Sequence, residues 1–255
     1  MMKKFLHLFF ALAIMASCAS AVGDDDFDED EMQVQHWALL GDVEAQNTLA
    51  LAYLNGDFGY QSLEEARLWL TRAAEQGHPG AQTNLGLLYL TAEGEDRDEA
   101  YALTLLNKAA KQNFSSAQLI LGSLCELGQI VPQDFKKAAA WYQNAALQKN
   151  PAAQYHLAML YSNGNGLPKD EKMAVALLKQ AAAKGLSSAQ FQLGRHYLYG
   201  MGIEKDVVAG YHYLLQASFA IGSKSMDSRD LVSSGLNQEQ IAQVQEETRN
   251  WQPKL

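Results

Sequence analysis

Cysteine is scarce in this sequence. Cys18 and Cys125 are the only two in 255 residues, too few for the disulfide framework of a small secreted domain. If Cys18 is modified or lost with the N-terminal segment, Cys125 is left alone and no intramolecular bridge can form in the mature chain. Basic charge is also in deficit. Twenty Lys and Arg face 29 Asp and Glu, with no basic stripe to contact phosphates, which argues against a nucleic-acid partner. After residue 21 no run approaches the eighteen or so apolar residues that a membrane-spanning helix needs, so the mature chain is expected not to cross a bilayer.

The signatures of chemistry are missing as well. His7, His36, His78, His156, His196 and His212 form no His-x3-His pattern and there is no Cys-x2-Cys pair, so nothing supports a metal site. His196 and His212 share one stretch and could approach each other, but such residues are ordinarily surface or packing groups. No Ser lies in a Gly-x-Ser-x-Gly setting. The Gly-x-Gly pairs at 164–166 and 200–202 have no preceding strand and read as turns rather than phosphate cradles. With only scattered carboxylates besides, the reading is a non-enzyme with no catalytic residue and no cofactor.

What the sequence has in abundance is order at long range. Ala45-Gln46, Ala81-Gln82, Ala117-Gln118, Ala153-Gln154 and Ala189-Gln190 recur every 36 residues, and a fixed period of this length signals a repeat array. Four residues after each Ala stands Leu49, Leu85, Leu121, Leu157 or Leu193. Five after it stands Ala50, Gly86, Gly122, Ala158 or Gly194, and eight after it Tyr53, Tyr89, Cys125, Tyr161 or Tyr197. Offsets of 0, 4, 5 and 8 share one face of an α-helix, so each repeat opens with an amphipathic helix. Gly or Ala alone at the fifth place implies that a neighbouring helix approaches closely, and the Tyr slot makes Cys125 a packing residue.

Gly56, Gly128, Gly164 and Gly200, with Ala92 as the exception, stand where the helix ends. A short loop leads to Ser62, Asp98, Asp134, Asp170 and Asp206, residues that cap a second helix through their side chains. That helix carries Ala66, Ala102, Ala138 and Ala174 inward, pairs such as Trp69-Leu70 and Trp141-Tyr142, and then Ala73-Ala74, Ala109-Ala110, Ala145-Ala146 and Ala181-Ala182. Gly77, Asn113 and Gly185 close it, with Lys149 standing out, and Pro79 and Pro151 open the next helix. A hairpin of two such helices cannot bury its apolar face alone, so neighbours must stack. The expected fold is all-α, a solenoid of antiparallel helix hairpins.

The pattern Ala-Gln-x-x-Leu-Gly-x-x-Tyr-x-x-Gly-x-Gly, a capping Asp, then Ala-x-x-Trp-Tyr-x-x-Ala-Ala-x-x-Gly resembles the Sel1-like repeat, a relative of the tetratricopeptide repeat. The resemblance runs over about residues 44–222 and is fullest in residues 153–185. It implies a superhelical array with adaptor and assembly roles. Five repeats are assigned to 45–222 (45–80, 81–116, 117–152, 153–188 and 189–222), behind an N-terminal cap at 36–44 with Trp37, Ala38 and Gly41. The period fails after Gly222. Residues 223–255 read as capping helices, Met226 to Ser234 and Asn237 to Trp251, with Ile241, Val244 and Trp251 covering the last hairpin.

Residues 1–21 read as an export signal: Lys3 and Lys4, an apolar run from Phe5 to Ala16, then small residues. Met15-Ala16-Ser17-Cys18 resembles a bacterial lipobox, which would make Cys18 the lipidated first residue; Ala19-Ser20-Ala21 offers ordinary cleavage before Val22 instead. Lipidation is favoured, because Cys18 ends the apolar run and a polar segment follows. Residues 22–35, with seven acids from Asp24 to Glu31, read as a flexible acidic tether. The chain is thus expected to be exported to the periplasm and anchored by lipid, the alternative being a soluble periplasmic or secreted protein.

Function follows from the variable positions of the first helices, two, three, six and ten residues after each Ala. In the last two repeats these include Tyr155, His156, Met159, Phe191, Arg195 and Tyr199, aromatic and Arg residue types that dominate interface energetics. They form the candidate groove for a peptide or protein partner, unless several pack between repeats instead. The leading expectation is an envelope adaptor. The alternatives are recognition of peptidoglycan or regulation of a cell-wall enzyme, and a secreted factor acting on another cell.

Overall fold

The computed structural model describes residues 27–57, 59–92, 94, 97–220 and 236–250. Among these residues every regular element is a helix: α1 (Phe27–Leu39), α2 (Val43–Asn55), α3 (Leu63–Glu75), α4 (Pro79–Thr91), α5 (Glu99–Lys111), α6 (Ser115–Leu127), α7 (Phe135–Leu147), α8 (Pro151–Asn163), α9 (Glu171–Ala183), α10 (Ser187–Tyr199), α11 (Val207–Ala220) and α12 (Gln238–Asn250). The chain divides into two compact units, Met1–Ile120 and Leu121–Leu255, with the boundary inside α6. Each unit is a run of antiparallel hairpins stacked in chain order, an α-solenoid arrangement.

In the first unit α1 packs on α2, α2 on α3, α3 on α4 and α4 on α5. Leu49, Ala50, Trp69, Leu70, Ala73, Leu85 and Leu105 form its core. The small residue five places after each Ala does what its size suggested. A methyl group at Gly86 would sit 3.1 Å from Leu106 Cγ and 3.2 Å from the Ala102 carbonyl, so α4 and α5 meet at van der Waals distance.

Helix α1 is a departure from expectation. It begins at Phe27, inside the stretch read as a flexible tether, so 27–35 is helical rather than extended. The reason is apolar spacing: Val34 and Ala38 lie one turn apart and pack on the first hairpin, Ala38 being buried, and the helix grows from that seam. Residues 1–26, including the expected signal and Cys18, lie outside the described residues, as do Met226 to Ser234 and Trp251.

In the second unit α7 through α12 pack each on the next. Ala158, Ala174, Val175, Leu178, Ala189 and Leu193 form one core cluster, and Leu215, Leu236, Ile241 and Val244 another. The latter closes the array. Asn237 Oδ1 accepts the Gln240 N–H at 2.8 Å while Gln240 Oε1 accepts the Asn237 N–H at 3.0 Å, a reciprocal cap that starts α12. Burial of Ile241 and Val244 then contributes roughly 1.5–3 kcal/mol each.

The hairpin turns share one device. Ser62, Asp98, Asp134, Asp170 and Asp206 each accept a backbone N–H at the start of the second helix. Four of these caps also donate their own N–H to the carbonyl of the Tyr/Cys slot: Ser62 to Tyr53, Asp134 to Cys125, Asp170 to Tyr161 and Asp206 to Tyr197. One residue thus starts the second helix and ties it to the first. At the far end, Lys149 takes a φ of 61° at the position where Gly77 and Gly185 take 92° and 82°. The array imposes that left-handed turn whether or not glycine is present.

The Gln of each Ala-Gln pair is buried. Gln46 Nε2 donates to the Ala38 carbonyl (3.1 Å), Gln82 to Ala74 (3.2 Å), Gln118 to Ala110 (3.3 Å) and Gln190 to Ala182 (3.4 Å). Each of these carbonyls, in the last turn of the preceding helix, already accepts a turn N–H (from Gly41, Gly77, Asn113 or Gly185), so the Gln amide adds a second donor to its remaining lone pair. In the first unit the ladder continues through side chains, Gln76 donating to Gln46 Oε1 at 2.8 Å and Gln112 to Gln82 Oε1 at 3.0 Å. In four of its five copies the 36-residue signature is therefore a hydrogen-bonded staple to the preceding helix; the fifth, Gln154, donates instead to Gln180 Oε1 within its own hairpin at 2.8 Å.

Candidate interaction face on the second unit

Two first helices build the candidate face. Asn150 Oδ1 accepts the Ala153 N–H at 3.1 Å, Pro151 occupies the first turn, and Gly164 ends α8 in the left-handed conformation. Helix α10 has no side-chain cap and ends at Gly200. With Ala153, Leu157, Ala158 and Leu160 inside α8, and Ala189, Leu193 and Gly194 inside α10, the opposite rows are Tyr155, Met159 and Asn163 on one helix and Phe191, Arg195 and Tyr199 on the other. Residues four apart stack along one helix face.

The six expected residues separate by burial. Phe191 is 47% exposed and Tyr199 68%, with Arg195 between them also exposed. Tyr155 and Met159 are half-buried, and Tyr155 packs on the core cluster of α8 to α10. His156 belongs to the interior. Its side chain is only 13% exposed, its ring stacks on Tyr142 at 5.0 Å, and its Nδ1 lies 3.4 Å from Glu126. The structure thus brings Phe191, Arg195 and Tyr199 together as an open stripe. His156 and much of Tyr155 serve packing between repeats.

Around His156 lies a polar cluster that sequence reasoning missed. The buried Tyr142 hydroxyl donates to Glu126 Oε2 at 2.6 Å and lies 3.1 Å from Ser123 Oγ. Burial, joined by the charge and hydrogen bond of Glu126, pushes the Tyr142 phenol far up, so it is a permanent donor. For Glu126 burial acts upward, but the hydrogen bonds from His156 and Tyr142 and the charge of His156 together hold its carboxyl below its ordinary value. The cluster joins α6, α7 and α8. The available sequence signal was Glu126, an acid eleven places from the start of a helix otherwise devoid of charge.

The remaining chemistry-bearing groups are equally occupied. Burial, followed by the charge of Asp134, raises the Cys125 thiol, so it is no reactive thiolate. His196 is buried with Nδ1 2.9 Å from the Met201 carbonyl, and His212 Nε2 lies 2.6 Å from Gln216 Nε2. Among the described residues no three His, Cys, Asp or Glu side chains are grouped to hold a metal, and no helix is long and apolar enough to cross a membrane.

The Sel1 repeat model matches residues 43–78, 79–114, 115–150, 151–186 and 187–218. Each match opens two residues before the Ala of Ala-Gln, close to where the first helix starts. None of the curated proteins matches the sequence. Among solved structures the chain is similar to a Sel1 repeat protein from Oxalobacter formigenes, with 27% identity and a TM-score of 0.69, covering 87% of this chain and 98% of that one. It is also similar to c5321, a protective antigen of uropathogenic Escherichia coli with an SLR fold, at 26% identity and a TM-score of 0.52. That match covers 95% of this chain and 60% of the other. A third is a putative Sel1 repeat protein from Klebsiella pneumoniae, at 25% identity and a TM-score of 0.51, covering 74% and 92%.

Proposed function

Because the chain belongs to the Sel1 repeat family, whose members generally serve as non-catalytic scaffolds for protein interaction, we propose that it is an adaptor holding a peptide or protein segment against α8 and α10. The observation that carries this reading is the stripe of Phe191, Arg195 and Tyr199. Two large aromatic rings stand 47% and 68% exposed at four-residue spacing on either side of a guanidinium, although the same helix buries Leu193 and Gly194. Burial of such rings against a partner recovers the free energy that their exposure forgoes. The adaptor acts in the bacterial envelope, exported through the segment 1–21 and tethered by lipid at Cys18; the sequence of that segment is the support for this part of the reading.

The test is capture from native envelope material followed by identification of what is retained. Phe191→Ala with Tyr199→Ala is expected to abolish retention of a defined protein while leaving the helical circular-dichroism signal and melting midpoint in place. Retention that survives the double variant refutes the face. Retention on purified peptidoglycan with no other protein present replaces the adaptor reading with glycan recognition. Intact mass of the mature protein decides the anchor: a diacylglyceryl-modified chain starting at Cys18 is expected, and an unmodified chain starting at Val22 refutes it.

A further inference from the structure

Building on that binding face, we infer that the partner is an extended peptide segment that presents a carboxylate to Arg195, with apolar side chains two positions to either side resting on Phe191 and Tyr199. Charge distribution is the first argument. The sequence carries nine more acids than bases, yet α8 (PAAQYHLAMLYSN) and α10 (SSAQFQLGRHYLY) contain no Asp or Glu at all. Their two histidines are engaged inside the fold, as described above, which leaves Arg195 as the exposed charge of both helices.

The state of that guanidinium is the second argument. Four lysines of this unit are already engaged: Lys137 lies 3.5 Å from Asp134, Lys169 lies 3.1 Å from Glu171, Lys179 sits over the Tyr197 ring and Lys184 donates to the Lys149 carbonyl; the exposed Lys136, Lys149, Lys172 and Lys205 lie outside α8 and α10. Arg195 has no carboxylate partner among the described residues. Its one hydrogen bond is to a neutral group, Nη1 donating to Gln192 Oε1 at 3.2 Å. Gln192, one turn back, orients the fork without neutralising it. A guanidinium has five donors in a plane that matches a carboxylate in bidentate fashion, so most of its donors remain available. The rings on both sides exclude water from a seated partner, and this strengthens an ion pair relative to one on an open surface.

Spacing supplies the sequence pattern. Four residues of helix rise about 6 Å at about 1.5 Å per residue, and same-side residues of an extended chain recur about every 6.7 Å at about 3.3–3.4 Å per residue. The steps from Phe191 to Arg195 and from Arg195 to Tyr199 therefore match an extended segment of the form apolar-x-acid-x-apolar lying along α10. Lysine or arginine at its centre would face Arg195 and be rejected.

A phage-displayed random dodecapeptide library selected on the full chain tests this, followed by binding of the recovered peptides by fluorescence polarisation. The expected consensus is Asp or Glu with aromatic or aliphatic residues two places before and after. Such peptides should lose at least about tenfold in affinity on Arg195→Gln, and selection on Arg195→Glu should replace the acid by Lys or Arg; circular dichroism verifies that both variants keep their helices. Peptides that need Phe191 and Tyr199 but carry no acid, or that bind Arg195→Gln unchanged, overturn the carboxylate inference and leave the binding face standing. Recovery of no peptide, or of peptides indifferent to Phe191→Ala with Tyr199→Ala, overturns both.

Discussion

Replacing Tyr142 by Phe removes one oxygen from the centre of the α6, α7, α8 cluster and little else. The ring remains, still stacked on His156 and still filling the space over Gly122, where a methyl group would meet Tyr142 Cε1 at 2.6 Å. What is lost is the 2.6 Å bond to Glu126 and the 3.1 Å contact with Ser123. A hydrogen bond to a charged group contributes about 1.5–3 kcal/mol, so the variant should lose about 2 kcal/mol near pH 7. With a denaturant slope of about 2 kcal/mol per molar, the urea midpoint falls by about 1 M.

The loss should also depend on pH, with a definite sign. Glu126 is held below its ordinary value in the fold, so the stability it contributes is present above the unfolded carboxyl value, about 4.3, and disappears as pH falls through the lower folded value. Tyr142→Phe weakens one of the bonds that hold it low. The difference between wild type and variant is therefore largest at neutral pH and shrinks on acidification. Urea unfolding followed by circular dichroism from about pH 7 down to about pH 3.5 reads this directly. A difference below about 0.5 kcal/mol at pH 7, or one that does not change with pH, would refute the assignment of Tyr142 as the donor to an ionised Glu126.

Two further substitutions test the backbone logic of the array. Lys149→Gly should stabilise the protein by about 0.5–1 kcal/mol, because a left-handed conformation costs an L-residue about 1–2 kcal/mol while glycine's extra unfolded freedom costs about 0.5–1; a lowered denaturation midpoint contradicts this. Gly202→Ala should destabilise by about 3 kcal/mol, since its new methyl group would overlap the Glu171 carbonyl in addition to the strain of φ 67°. Gly94→Ala has the same φ and open space around it, so only the strain of about 1–2 kcal/mol is expected there. Equal losses at the two glycines would show that the approach of the loop to α9 carries no energy.

The architecture was legible in the sequence because each repeat states its structure locally. Helix faces follow from offsets of 0, 4, 5 and 8, caps from Asp and Ser, turns from Gly, and five copies in phase make the stacking unavoidable for hairpins too small to fold alone. The same pattern marked Ala-Gln as the organising pair but gave its Gln no task, since the task depends on a carbonyl eight residues back in another helix. Tertiary structure alone decided which variable positions are open. His156 and Phe191 are both variable positions of a first helix, yet the neighbour that each meets differs: Tyr142 and Glu126 enclose the first, and among the described residues nothing comparable covers the second. It likewise decided that 27–35 is helix, because the gain from seating Val34 and Ala38 on the first hairpin is invisible in a run of acids. Local rules fix the elements; which side chains stay exposed is set by the surfaces that adjoining helices present to one another.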